Sequence, residues 1–140
     1  MKSRKFPLLF SGIMFALSLF LPPFTIEGTS AFNIGFVVLL FGLAYGHIAW
    51  YANLFYAASL LTYGLLKKMY IPVILSGVAF ALALTAMNIK DIPRDEGTMS
   101  PVAITKMGWG FYCWLSSIAI IMLAAATDSL SREAAADEPA

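Results

Sequence analysis

The stretch IGFVVLLFGLAYGHIAWYANLFYAASLLTYGLL, residues 34–66, runs for 33 residues without an Asp, Glu, Lys or Arg. Uncharged runs at residues 6–21, 70–87 and 108–126 flank it. Apolar runs of this length occur in few settings other than a bilayer, where about 20 residues of helix cross the hydrocarbon core. The expected fold class is therefore all-α. It is a polytopic transmembrane helical bundle over residues 1–126, followed by a disordered polar tail at 127–140.

As one helix, residues 34–66 would be about 50 Å long at 1.5 Å per residue. Fitting that into a core of about 30 Å requires a tilt of roughly 50°, beyond the usual range. The run must break, and Gly46-His47-Ile48-Ala49-Trp50-Tyr51-Ala52-Asn53 offers the place. Gly and Asn are poor interior helix residues, and Asn53 suits the N-cap of a helix starting at Leu54. Trp50 and Tyr51 belong at the headgroup level, where an amphipathic ring is best solvated.

Two arrangements follow. In the first the chain makes four spans with both termini cytoplasmic, and residues 34–46 form an interfacial or re-entrant helix. In the alternative, 34–46 also crosses, giving five short spans and an external C-terminus. Four spans place Lys2, Arg4, Lys5, Lys67, Lys68 and Arg132 inside, with Lys90, Arg94 and Lys106 outside. Five spans exchange the two loop groups and give the same split, so charge counting does not choose. In either case the turn at 50–53 and the loop at 88–107 share a face.

Only 12% of the 140 residues are charged, where a soluble domain carries roughly 25%, so composition agrees with the membrane class. A net charge of +1 leaves no basic stripe to displace counterions from phosphates, which excludes a nucleic-acid partner. Cys113, the single cysteine, cannot form an internal disulfide and reads as a small buried side chain. The first apolar run ends at Pro22-Pro23 with no small-residue cleavage site close by. It reads as a retained helix, not a signal peptide, with the basic N-terminus held in the cytoplasm. Gly42…Gly46, Gly77…Ala81 and Ala79…Ala83 place small residues four apart, a spacing that suits packing within the chain's own bundle.

His47 is the one ionisable side chain inside an apolar run, which makes it a functional candidate. Beside Trp50 and Tyr51, a hydrogen-bonded interfacial role is favoured over proton or metal chemistry. Pro93 and Pro101 prevent a continuous helix through 88–107, and Gly97 suits a turn. The adjacent carboxylates Asp95 and Glu96 in that loop are neutralised locally by Lys90 and Arg94, without the ligand spacing a hard cation needs. Aromatics gathered with two irregular polar segments suggest a recognition surface. The candidate interaction face comprises His47, Trp50, Tyr51, Asn53, Asp95, Glu96, Trp109, Tyr112 and Trp114, with an ordinary aromatic belt as the competing reading. No catalytic residue, metal site or cofactor is assigned.

Three motifs, Ala49-Trp50-Tyr51-Ala52-Asn53, Asp91-Ile92-Pro93-Arg94-Asp95-Glu96-Gly97 and Gly108-Trp109-Gly110-Phe111-Tyr112-Cys113-Trp114-Leu115-Ser116-Ser117, carry a resemblance. The chain resembles a group of small, uncharacterised bacterial inner-membrane proteins. Their pattern runs W-x-A-N-P, then D-E-G-G, then G-x-G-Y-Y-L-W-L-A-S, in the same order and spacing over most of residues 6–126. This sequence departs at Leu54, where the group has Pro, and at Thr98, where it has a second Gly. The group's basic cluster at the Lys67-Lys68 position implies a cytoplasmic turn there, which favours four spans.

Enzymatic signatures such as G-x-S-x-G, C-x-x-C or a phosphate loop are missing from the sequence. Proton-coupled transport normally places carboxylates within the spans, and these runs have none. Ser11, Ser18, Ser59, Thr62, Ser76 and Thr85 are too scattered to trace a channel. The expected function is that of a small non-enzymatic integral inner-membrane protein acting through protein–protein contact, as an accessory subunit or a toxin-immunity protein. Its partners would be the lipid bilayer and a membrane protein or a second copy of itself. The alternative is an oligomeric small-molecule or ion transporter.

Overall fold

The computed structural model describes residues 4–26, 34–43, 46–66, 70–93 and 101–136. Helix α1 (Lys5–Phe20) ends where Leu21 turns extended ahead of Pro22-Pro23, as the restriction before proline requires. Strand β1 (Phe24–Ile26) follows, then the short helix α2 (Gly35–Phe41). A turn at Gly46, with φ +70°, and a 3-10 turn at Ile48–Tyr51 lead into α3 (Ala52–Leu65). Helix α4 (Tyr70–Leu84) closes with a 3-10 turn at Thr85–Asn88. Strands β2 (Asp91–Pro93) and β3 (Pro101–Met107) precede the last helix, α5 (Trp109–Ala136).

Helices α1, α3, α4 and α5 form the bundle, and side-chain pairs fix their directions. Ser11 on α1 meets Tyr56 on α3 and Ser117 on α5. Arg4 meets the carbonyls of Tyr63 and Leu66 and the carboxylate of Asp128. At the opposite end, Pro22 and Pro23 accept from the amides of Gly110 and Gly108. Helix α1 therefore runs antiparallel to both α3 and α5, and α4 returns between them.

The buried positions follow a coiled-coil rhythm. On α3 they are Ala52, Tyr56, Ser59 and Tyr63, and on α4 Pro72, Ser76, Ala79 and Ala83. Both sets step by four, three and four residues, which keeps one narrow seam facing the neighbouring helix. Ile118, Ile121 and Ala125 of α5 complete the core, with Ser11 and Ser18 from α1. Most of these side chains are small, so the helix backbones approach closely. Many large apolar residues point the other way. Phe6, Leu9, Ile13, Phe20, Leu54, Leu61, Leu65, Ile74 and Leu123 are all exposed on the outer faces.

Most interior hydroxyls are satisfied by their own helix. Ser18 donates to Phe15 O, Ser59 to Tyr56 O and Ser76 to Pro72 O. Ser11 is different. Its proton goes to Ser117 O at 2.8 Å, so the Tyr56 hydroxyl donates to Ser11 Oγ at 2.6 Å. One chain of hydrogen bonds thus joins three helices at the middle of the bundle, where each bond polarises the next.

A three-stranded antiparallel sheet, ordered β1-β3-β2, caps the end opposite Arg4. Phe24 pairs with Met107 and Ile92 with Val102, and a bulge between Thr25 and Ile26 bends β1. Residues 91–93 and 101–107 are thus strands, where an irregular loop over 88–107 is expected from the sequence. The bundle itself is all-α, and the sheet is an addition at its end, built where prolines forbid helix.

Other details differ from the sequence reading. Asn53 does not cap a helix at Leu54, because α3 begins one residue before it and Asn53 serves side-chain bonds instead. Gly42 and Gly46 do not share a helix: α2 stops at Phe41, the indole of Trp50 lies on Gly42, and Gly46 makes the left-handed turn. Ala79 and Ala83 are buried in the seam, whereas Ala81 is exposed. The tail expected to be disordered from residue 127 continues α5 to Ala136. Its sequence is rich in Ala, the strongest helix former, and Asp128 is tied back to Tyr63 and Arg4.

Two helical segments, Tyr70–Asn88 and Trp109–Arg132, are long and apolar enough to cross a membrane, and α1 is a shorter apolar helix. Ser11→Ala should cost about 1–3 kcal/mol, because it removes the buried bond to Ser117 O and leaves the Tyr56 hydroxyl only the longer contact of 3.3 Å to the Ser11 carbonyl. Ser76→Ala, which removes only a bond within its own helix, should cost less than about 1 kcal/mol. Thermal melts of the two variants check this, and equal losses would refute the distinction.

Candidate functional site

The site is a cavity of about 250 Å³ at the sheet end of the bundle. Its walls are the last turns of α1, the whole of α2, the 3-10 turn before α3 and the first turns of α5, with Ile104 and Met107 of β3 over it. Helix α2 can form a wall because Gly35 sits against the backbone of Ser18 and Leu19, where a Cβ would collide with Ser18 O. The start of α5 is seated the same way. Gly108 and Gly110 leave no room for side chains against Leu21 and Pro22, and their amides find the proline carbonyls at 2.8 and 3.0 Å. Those carbonyls satisfy N–H groups that a helix start would otherwise leave open.

A ladder of side-chain hydrogen bonds joins the walls. The indole Nε1–H of Trp50 donates to Leu39 O at 2.6 Å, one of the unpaired carbonyls at the end of α2. Asn53 Nδ2 donates to Trp50 O at 3.0 Å, and Asn53 Oδ1 accepts from Trp114 Nε1 at 2.9 Å. Trp50 and Trp114 are thereby locked with their rings along the cavity, together with Phe15, Phe24, Phe41 and Phe111. Phe111 and Trp114 lie 6.1 Å apart, within the range of favourable aromatic pairing.

His47 also lines this cavity. Its Nε2 is shielded from solvent and has no hydrogen-bond partner among the described residues. A buried polar atom without a partner is uncommon in a native fold.

The nine residues of the expected interaction face therefore separate. His47, Trp50, Asn53 and Trp114 converge on the cavity. Tyr51, Trp109 and Tyr112 lie at the same end but point outward, with Trp109 76% exposed. Asp95 and Glu96 lie outside the described residues. Cys113 is half-buried. The sequence reading missed Ser18, Phe15, Gly35, Phe41 and Ile104 as cavity residues. The paired glycines of Gly108-Trp109-Gly110 are the signal in the sequence that could have marked a close backbone approach at the start of α5.

Chemically the lining offers one imidazole among aromatic and aliphatic walls, an arrangement suited to binding. In comparisons with known proteins, no family model matches the chain, and no curated protein or solved structure matches it either.

Asn53→Ala should destabilise the fold by about 1–3 kcal/mol, since Trp114 Nε1–H loses its acceptor and Trp50 O a donor. Because the two side chains share one bond, Asn53→Ala and Trp114→Phe should couple by about 1 kcal/mol in a double-mutant cycle. Additive losses in melts of the three variants would dissolve the pairing.

Proposed function

We propose that this chain is a four-span integral protein of the bacterial inner membrane, with both termini cytoplasmic, that acts without catalysis through contact with another membrane protein. The observation that carries the reading is the inversion of the bundle. Its interior is Ser, Ala, Tyr and Ile, and its exterior carries the large apolar side chains. Only 22% and 33% of the apolar windows in Tyr70–Asn88 and Trp109–Arg132 are buried, so these helices do not resemble the core helices of a water-soluble domain. Exposed apolar surface on this scale favours a lipid solvent.

Four crossings fit the element lengths. Helix α2, with 7 residues, is about 10 Å long and cannot cross a core of about 30 Å. It lies at the end of the bundle, as an interfacial element does. Helices α1 and α3 are about 24 and 21 Å long, short enough to require local thinning of the bilayer or help from flanking residues. Arg4 and Lys5 lie at the end where Leu66 leads into Lys67-Lys68, and Arg132 follows on α5, so the larger basic cluster marks the cytoplasmic side. The sheet, the cavity and the outward aromatics then face the external side. The resemblance to small bacterial inner-membrane proteins supports the location.

Contact is favoured over transport because the interior hydroxyls are engaged by their own helices or by each other, which leaves no continuous polar path among the described residues. The contact surface is the external end, where Tyr51, Trp109 and Tyr112 are exposed, and Asp95 and Glu96, between β2 and β3 in the sequence, are proposed to belong to it. Exposed aromatic residues gathered at one end are suited to anchoring a partner. An accessory subunit and a toxin-immunity protein both use such a surface.

Cysteine accessibility tests the topology. In a Cys113→Ala background, Lys106→Cys should react with an impermeant maleimide in spheroplasts, and Ser131→Cys should react only after lysis. Ready labelling at position 131 in intact spheroplasts would sink the four-span arrangement. The contact reading is tested by combining Asp95→Ala and Glu96→Ala with Trp109→Ala. Recovery of the partner from native membranes should fall about tenfold or more, with the melting temperature nearly unchanged. Loss of stability with undiminished recovery would reduce these aromatics to a membrane belt.

A further inference from the structure

We propose that the cavity walled by α1, α2 and the start of α5 binds a hydroxylated aromatic ring, a phenol-class molecule, with His47 as its polar anchor. This goes beyond contact with a protein partner and does not depend on it.

Size sets the first bound. An apolar cavity of roughly 150 Å³ accommodates benzene, so about 250 Å³ takes one ring and a few further heavy atoms. The walls set the second. Phe15, Phe41, Trp50, Phe111 and Trp114 present rings to the space, and a flat aromatic guest meets them edge-to-face or offset-stacked. Trp50 and Trp114 are fixed by hydrogen bonds, so the pocket is preformed.

The polar anchor sets the third. The hydrogens of Ser18, Trp50 and Trp114 are already donated within the fold, and Asn53 is bonded through both its oxygen and its nitrogen. His47 Nε2 is the buried atom left over among the described residues. A water there would need two to four polar partners, and these surroundings have few to spare. A guest with one hydroxyl and an apolar body matches the lining better. A hydroxyl both donates and accepts, so it satisfies Nε2 in either neutral tautomer of the imidazole.

Such a ring could arrive as a small free phenol or as the head of a longer-tailed membrane lipid. Calorimetric titration of the full chain in detergent micelles distinguishes these and tests the site. For the wild type, 4-propylphenol should bind saturably at one site, about tenfold tighter than propylbenzene, the margin of one buried hydrogen bond. His47→Leu should remove that margin by weakening the phenol alone. Val38→Phe, which fills the cavity from α2, should abolish both. Tighter binding of 4-nonylphenol than of 4-propylphenol assigns the ring to a tailed lipid, and the reverse order assigns a free phenol.

Equal wild-type affinities for 4-propylphenol and propylbenzene, or mere unsaturable partitioning of both, would overturn the proposal without recourse to any variant. A tenfold preference that survives His47→Leu in a folded protein would overturn it as well. No partner protein enters this experiment, so its failure leaves the contact reading standing and the failure of that reading leaves the ligand untouched.

Discussion

Helices that pack through small residues can slide along one another unless something sets their register. Here that constraint is the hydroxyl of Ser11, which receives a proton from Tyr56 and gives its own to Ser117 O, at 2.6 and 2.8 Å. Both bonds are buried, where an unmade partner costs more than a made bond gains, so a slip of α1 is penalised on two helices at once. With mid-bundle fixed, the ends fall into place. Arg4 reaches the carbonyls of Tyr63 and Leu66 and lies 3.5 Å from Asp128. Pro22 and Pro23 come opposite Gly110 and Gly108 at the other end. Register in the middle therefore decides the geometry of the cavity roughly two helical turns away.

Element length explains why a cavity exists at that end. Between Ser11 and Asp128 the interior combines small residues, Ser59, Ser76, Ser117 and Ala125, with the buried Tyr63, Ile118 and Ile121. Beyond Phe15, α1 keeps α5 as its neighbour and also meets α2, which is too short to continue the seam and lies against Ser18 through Gly35. A short helix cannot fill the volume of a full span, and the difference is lined by the aromatic rings that the ladder of Trp50, Asn53 and Trp114 holds in position.

Much of the bundle was legible in the sequence because uncharged runs and their lengths dictate helices directly. The break between α2 and α3 was legible too, since Gly46 and Asn53 are poor interior helix residues and 33 residues make an unusually long helix. What escaped was whatever depends on partners distant in the chain. Phe24-Thr25-Ile26 is too short to announce itself as a strand, and it forms only because β3 lies alongside. Asn53 carries the features of an N-cap, yet a bond to Trp114, 61 residues away, gives its side chain another use. Asp128 read as part of a solvated tail because nothing local reveals that Tyr63 and Arg4 await it. At the candidate site, the aromatic composition was readable, but whether each ring points into the cavity or out of the bundle depends on helix rotation, which tertiary packing sets.

That division of aromatics also joins the two surfaces at the sheet end. Phe111 is buried and lines the cavity, and its ring lies 5.5 Å from that of Tyr112, which is exposed, and 6.1 Å from that of Trp114, which is not. Tyr112 in turn packs edge-on to Trp109 at 6.4 Å. Close-packed rings cannot be displaced singly, so a shift of Phe111 by an occupant of the cavity must be taken up by Tyr112 and Trp109 on the outer face or by Trp114 within. Trp114 is restrained by Asn53, whereas Tyr112 and Trp109 are exposed and freer to move. The softer direction is outward, which places the occupancy of the cavity and the shape of the external aromatic face on one mechanical element, the first two turns of α5.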